Sequence, residues 1–331
     1  MAWFKGMSGK LVVAGIGLLG LLVIISGIFA KLISLPGPAD DHVLVHVKAG
    51  SGPSAIAEQL LYAGAIDSPN LFKVAARLLH VDKKLQAGTY RFEPQASIRQ
   101  IITKLTAGDV ALYKVTVPEG LTTAEIITRL EQEESLKGEG IPMKEGSLFP
   151  STYNYMYGDT VAMLLRRMAA KMDTELMQAW ENRSATSELK SPEEMLILAS
   201  IVEKEAGIND ERPIVAAVYL NRLKEGMKLQ ADPTVIYGAS NYDGNITNKH
   251  LKEDHPYNTY VHKGLPKGPI SNPGRESLQA VANPANVDYL YFVSDGEGGH
   301  WFSKTHDEHE KNVQKYLKVY RSNLKKAEKE N

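Results

Sequence analysis

Leu11 to Ala30 runs for twenty residues without a charge. As a helix rising about 1.5 Å per residue it reaches roughly 30 Å, the depth of a bilayer's hydrocarbon core. A cleaved signal peptide is the competing reading, but its apolar region spans only about 7–15 residues. Ser26-Gly27-Ile28-Phe29-Ala30 is also a poor cleavage site, because Phe29 stands where a small residue usually leads. The run therefore reads as an uncleaved anchor. Lys5 and Lys10 precede it and Lys31 follows it, a slight positive-inside bias. The expected topology is a cytoplasmic tail over residues 1–10, a membrane span over 11–30, a tether over 31–40 stiffened by Pro36 and Pro38, and a large exported remainder.

The chain has 331 residues, 43% of them hydrophobic, so two or three domains with a sizeable core are expected. A formal net charge of −1 gives no electrostatic case for nucleic acid. With no cysteine, disulfide frameworks and thiolate metal sites are excluded.

A pattern then occurs twice. Val45-His46-Val47-Lys48-Ala49-Gly50 leads into Ser54 to Leu60, and Val115-Thr116-Val117-Pro118-Glu119-Gly120 leads into Thr123 to Leu130. Each copy reads as a short strand, a glycine turn, a Ser/Thr cap and an amphipathic helix. Gly88 to Phe92 is a further strand, and Ser97 caps a helix through Leu105 that ends at Gly108. These units occupy 41–134 and carry no acid–base constellation; a carbohydrate-binding module and a plain scaffold fit them equally. Ser135 to Glu145 reads as a polar linker, and 146–331 as the main domain. There, Val161 to Ala179 is a helix whose Arg166, Arg167 and Lys171 read as a solvated basic face.

Within the main domain, Ser191 to Gly207 reads as one helix with both ends marked. Ser191 is an N-cap, Pro192 suits the first helical position, and Glu194 completes a capping box. Gly207 suits the left-handed position beyond the last turn. Met195, Leu198, Ile201 and Val202 project onto one face, and Glu205 falls on that same face while Glu203 and Lys204 point elsewhere. A carboxylate on an apolar stripe, at the negative end of the helix dipole, is pushed toward its protonated form. That is what a general acid near neutral pH needs. The plainer alternative is a helix-terminal Glu that turns outward or pairs with an Arg.

Arg212 to Glu225 is a second helix with Val215, Val218, Tyr219 and Leu223 inward, in which Asn221, a poor helix former, invites a polar partner. Leu229 to Gly238 then sets Gln230, Asp232, Thr234 and Tyr237 beside an apolar strand, a composition suited to reading sugar hydroxyls and stacking on rings. Asn258 and Tyr260 follow, ahead of a long Pro/Gly-rich loop from Gly264 to Gly274. Asp288 to Val293 reads as a buried strand, followed by a turn over Asp295 to Gly299. His300 and Phe302 alternate after it. His306 and His309 share a helical spacing at which a metal site is conceivable, but the usual protease and deaminase motifs are absent and no metal or other cofactor is expected. The tail from Lys311 is a helix with Val313, Tyr316 and Leu317 inward.

Taken together, the sequence closely resembles the endolytic murein transglycosylases of the MltG (YceG-like) family. The resemblance rests on Leu198-Ala199-Ser200-Ile201-Val202-Glu203-Lys204-Glu205, Asn221-Arg222-Leu223, Leu229 to Gly238, Tyr257 to Tyr260, Gly264-Leu265-Pro266, Ile270 to Gly274 and Tyr289 to Val293, in that order. It departs at Ser147 to Ser151, where the family usually has an aromatic residue and an Asp around Leu-Phe-Pro. The resemblance implies an α+β fold: an N-terminal transmembrane helix, small LysM-like strand–helix units, and a mixed α+β catalytic domain with its catalytic Glu on a helix. It implies cleavage of peptidoglycan glycan strands with Glu205 as catalytic acid and without cofactor. Asn221, Gln230, Asp232, Thr234, Tyr237, Asn258 and Tyr260 are then the expected substrate-binding residues. The implied setting is a single-pass inner-membrane protein whose catalytic part is periplasmic, partnered by penicillin-binding proteins.

Overall fold

A computed structural model describes residues 3–184, 188–205, 207 and 209–330. Met1 and Ala2 of the expected tail, and Ala206 in the Ser191–Gly207 stretch, lie outside them. The chain is mixed α+β, with three two-stranded sheets among helices in the described residues. Its contacts divide it into two compact units, residues 1–113 with 154–157, and residues 114–153 with 158–331.

The apolar run forms helix α1 (Trp3–Leu32). From Val13 to Leu32 its mean hydropathy is 2.5 and none of it is buried, so it is long and apolar enough to cross a membrane. Strands β1 (Val43–Val47) and β2 (Gly88–Phe92) pair antiparallel in the first unit, with Val43 opposite Phe92 and Val47 opposite Gly88. Alternation turns Val45 and Val47 inward onto helices α2 (Pro53–Tyr62), α3 (Pro69–Leu78) and α4 (Ile98–Ala107). Their core gathers Ile56, Leu60, Phe72, Tyr90, Phe92, Ile101 and Leu105. Ser97 and Gln100 make a reciprocal capping box, and Gly108 takes the left-handed C-cap of α4. Gly52, not Ser54, caps α2, because Pro53 occupies the first helical position. Helix α3, absent from the sequence reading, starts on a Ser68-Pro69 cap.

Strand β3 (Leu112–Thr116) pairs with β4 (Thr152–Met156). The second copy of the repeated pattern continues into α5 (Thr123–Glu131), capped by Thr122 with Glu125. By its contacts this copy belongs to the second unit, whereas the sequence grouped both copies in 41–134. Nor is Ser135 to Glu145 a free linker: Leu136 is buried, Lys137 bridges Thr160, and the carboxylate of Glu145 accepts from the Thr123 amide (2.8 Å).

The core of the second unit lies among α6 (Val161–Glu181), α7 (Pro192–Glu205), α8 (Arg212–Lys224) and α11 (Arg275–Ala282). A short 3₁₀ turn over Asn209–Glu211 leads into α8. Leu148 and Phe149 are buried there, and Lys171 donates to Ser151 (3.2 Å) over the Phe149 ring, so this cation is not part of a solvated face. Helix α7 is buried from Ile197 to Val202 all round, not along one stripe. Its N-cap holds, with Ser191 accepting from the Glu194 amide (3.2 Å). Gly207 faces the Gly298 carbonyl. The 229–238 segment is not strand-like either, since Pro233 at an early helical position starts α9 (Asp232–Gly238). Helix α10 (Asn248–Lys252), hairpin β5 (Tyr291–Ser294) and β6 (His300–Ser303), and α12 (His306–Glu330) complete the unit. β5 is half-buried, not buried, because the hairpin lies at the unit's edge under α12, where Val313, Tyr316 and Leu317 are also half-buried.

Asn272, fully buried, ties distant segments together. Its Oδ1 accepts from the Leu148 amide (2.7 Å), and its Nδ2 donates to the Leu121 carbonyl (3.0 Å), Thr123 Oγ1 (3.1 Å) and Glu145 Oε1 (3.2 Å). Asn272→Ala orphans a buried N–H and several acceptors at once, and the expected loss is about 2–4 kcal/mol of unfolding free energy, read by urea denaturation.

Candidate active site around Glu205

Two carboxylates leave the last turn of α7 in different directions. Glu203, with 4% of its side chain exposed, accepts from Arg212 Nη2 (3.1 Å) and from the Gly274 amide (2.9 Å). The Arg212 guanidinium also reaches Glu276 (2.9 Å) and Glu119 (3.9 Å). Glu205 is half-buried and forms no ion pair among the described residues; the hydroxyl of Tyr219, one helix away on α8, donates to its Oε1 at 2.9 Å. Burial raises the Glu205 pKa from 4.5 to about 7. The Tyr219 hydrogen bond opposes that rise, Asp232 adds to it, and His300 and Arg222 oppose it. Near neutral pH this carboxyl can both give and take a proton.

Its surroundings are built by buried polar groups. Arg222, stacked over Tyr291, donates to the carbonyls of Leu229 and Leu290 and so joins α8 to both the 229–238 segment and the hairpin. Glu211 grips His300 twice, by its backbone amide (3.0 Å) and by Nδ1 (2.7 Å). The His300 ring meets Phe292 edge-on, and Phe292 meets Tyr219 edge-on.

The expected substrate-binding residues divide into two kinds. Asp232 and Tyr260 come together, with the Tyr260 hydroxyl donating to Asp232 Oδ1 at 2.6 Å, and both act electrostatically on or with Glu205. Gln230 is exposed and held at φ 50°. Tyr237 stacks edge-on against Tyr257 and donates to Glu145 (3.1 Å). Thr234, Asn258 and Asn221 are committed to the scaffold. Thr234 donates to the Ala231 carbonyl and shares a hydrogen bond with the Thr259 hydroxyl, and Asn258 donates to the carbonyls of His250, Leu251 and Glu253. Asn221 donates to the carbonyls of Val287 (2.9 Å) and Tyr289 (3.0 Å). Tyr219, Arg222, His300 and Glu211 are the neighbours that sequence reasoning missed as a group. His306 and His309 lie against Tyr291 at the start of α12.

Residues 45–315 match the YceG-like family model. The chain is a member of the YceG-like family. It is 30% identical to an endolytic murein transglycosylase of Bacillus subtilis, over 89% of this chain and 91% of that protein. It is 27% identical to a protein of the same name in Streptococcus pneumoniae, over 87% of this chain and 60% of that one. A crystal structure of a YceG-like protein from Listeria monocytogenes superposes with a TM-score of 0.53 at 31% identity, covering 82% of this chain and 98% of that one.

Since Glu205 holds its proton up to about pH 7 when folded and only to about 4.5 when unfolded, the folded state loses stability as pH rises through that window. Glu205→Gln keeps an acceptor for Tyr219 and removes the titration. The variant should gain up to about 3 kcal/mol on the parent between pH 4.5 and 8. Paired denaturation curves across that range check it; parallel curves would reject the raised acid.

Proposed function

We propose that this chain is a peptidoglycan lytic transglycosylase that cleaves inside glycan strands at the β-1,4 bond between N-acetylmuramic acid and N-acetylglucosamine. The observation carrying the reading is Glu205, one carboxyl with a raised pKa, hydrogen-bonded by a phenol and in no ion pair among the described residues, in a family with relatives named endolytic murein transglycosylase.

One such group suffices for this chemistry. Glu205 protonates the leaving glycosidic oxygen as its bond to the muramyl C1 breaks, and the departing glucosaminyl end leaves as a free hydroxyl. The substrate's own acetamido group supports the developing charge at C1. The muramyl C6 hydroxyl then attacks C1 and gives its proton to the Glu205 carboxylate, which restores the acid. The product is a 1,6-anhydro ring, and no water enters. Glycoside hydrolases of the usual kind need a second carboxylate to activate water or attack the sugar. Asp232 and Tyr260, with Gln230 and Tyr237, are the residues we assign to the sugar. Thr234, Asn258 and Asn221 shape the backbone that carries them.

The exposed apolar helix α1 supports a single-pass anchor, tail in the cytoplasm and both units outside the inner membrane. An enzyme so tethered meets strands as they leave their synthases, so terminating elongation beside penicillin-binding proteins is its task in this reading.

The test uses uncrosslinked glycan strands with the full chain and its Glu205→Gln variant, the new ends read by mass spectrometry. Internal fragments one water lighter than reducing ends, produced only by the parent, are expected. Reducing ends would move the assignment to a hydrolase using Asp232, and binding without cleavage by either protein would leave a scaffold. Because the first step needs protonated Glu205, kcat/KM should fall above about pH 7. Tyr219→Phe removes a bond that favours the carboxylate, so that alkaline limb should move up by about one pH unit.

A further inference from the structure

The anchor helix does not end in a loose tether. Ile33, the residue after α1, is 1% exposed and sits in the core of the first unit with Val45, Leu60, Phe92 and Ile101. Phe29, inside the span, packs against that same core. The backbone is fastened as well: the Arg99 amide donates to the Ile33 carbonyl (2.9 Å), the Gly37 amide to the Gln95 carbonyl (3.0 Å), and the Gln95 amide to the Ala39 carbonyl (2.7 Å). A side chain at Gly37 would collide with the Ala96 carbonyl, so the passage fits tightly.

These contacts fix an orientation. If the span ends near Leu32, Phe29 lies about one helical turn inside the hydrocarbon edge. Whatever packs on it must then reach headgroup depth. The strand register says which edge that is, because the tether enters before Val43 and the 93–96 turn leaves after Phe92, its partner. The turn after Val47 lies at the opposite end of the sheet, about 13 Å further along. Leu35, 48% exposed, sits on the near edge, as does Arg99, whose exposed cation suits anionic headgroups.

We propose that the first strand–helix unit is seated rigidly on the lipid surface, with its Leu35–Pro38 and Glu93–Arg99 edge among the headgroups and its Lys48–Gly50 turn facing away. The proposal rests on the reading of α1 as an anchor. Seated in this way, α1 and the unit move as one body, and no flexible reach is available between them.

The chain has no native cysteine, so single thiols can be labelled cleanly. Full-length Leu35→Cys, Glu93→Cys and Lys48→Cys proteins, each carrying an environment-sensitive fluorophore, are reconstituted into phosphatidylglycerol/phosphatidylcholine vesicles with a headgroup spin-labelled lipid as quencher. Quenching several-fold stronger at positions 35 and 93 than at 48 is expected. A flexible Gly/Ser insert after Leu32, which keeps the span and every residue of the unit from Ile33 onward, should level the three. Equal quenching in the uninterrupted chain, with the protein floating with the vesicles, overturns the seating alone. A chain that fails to float overturns the anchor and the seating together.

Discussion

Helix α7 has no free side, and much of the second unit follows from that. With α6, α8 and α11 around it, every residue from Ile197 to Val202 is buried, so polar groups in its last turn must be answered by neighbours. Residues two apart on a helix do not share a direction. Glu203 therefore meets the Arg212 guanidinium and an amide, while Glu205 meets a phenol. The first arrangement locks α7 to α8 and to the start of α11. The second leaves a carboxyl whose burial is only partly offset, and proton transfer near neutral pH needs such a group. The two carboxylates are thus set apart by the choice of partner, within about half a turn of one helix.

The same division of labour recurs in the segments facing Glu205. Asn258 and Thr259 are buried and spend their hydrogen bonds on backbone groups and on Thr234, and the next residue, Tyr260, is left to reach Asp232. Thr234 is buried against Thr259, two positions after Asp232. Side chains of similar polarity serve opposite ends, and the buried ones hold the exposed ones at a defined separation. Burial without a hydrogen bond would cost each amide or hydroxyl a few kcal/mol, so these residues are bound tightly to their scaffold roles.

This explains what could be read from the sequence. The partial burial and raised pKa of Glu205 were legible because a charge among apolar positions is a local anomaly. The caps at Ser97 and Ser191, and the turn at Asp295, were likewise legible. Tyr219 was placed inward but not against Glu205, since fourteen residues separate them and only the packing of α7 on α8 unites them. The grip of Glu211 on His300 spans eighty-nine positions and has no local signature. Asn221, Thr234 and Asn258 carry amide and hydroxyl groups that suit a sugar as well as a backbone carbonyl. Composition could not separate those uses; in the structure their hydrogen bonds go to the scaffold. The 229–238 segment read as strand because Val235-Ile236-Tyr237 favours β structure, while Asp232-Pro233 starts a helix.

The repeated strand–helix pattern carries a further lesson. Both copies obey the same local rules, yet the first closes its core with α3 and α4, and the second has no such companions of its own. Its helix packs on α6, and its glycine turn is held by Asn272 and by Lys204, whose ammonium donates to the Gly120 carbonyl at 3.2 Å. Glu119, just before that turn, faces Arg212, and burial with the nearby Glu203 raises its pKa. The second copy is therefore part of the support beneath the last turn of α7. A segment that looks like a duplicated module has been absorbed into the frame that positions Glu205, because an amphipathic helix joins whichever apolar surface covers it best.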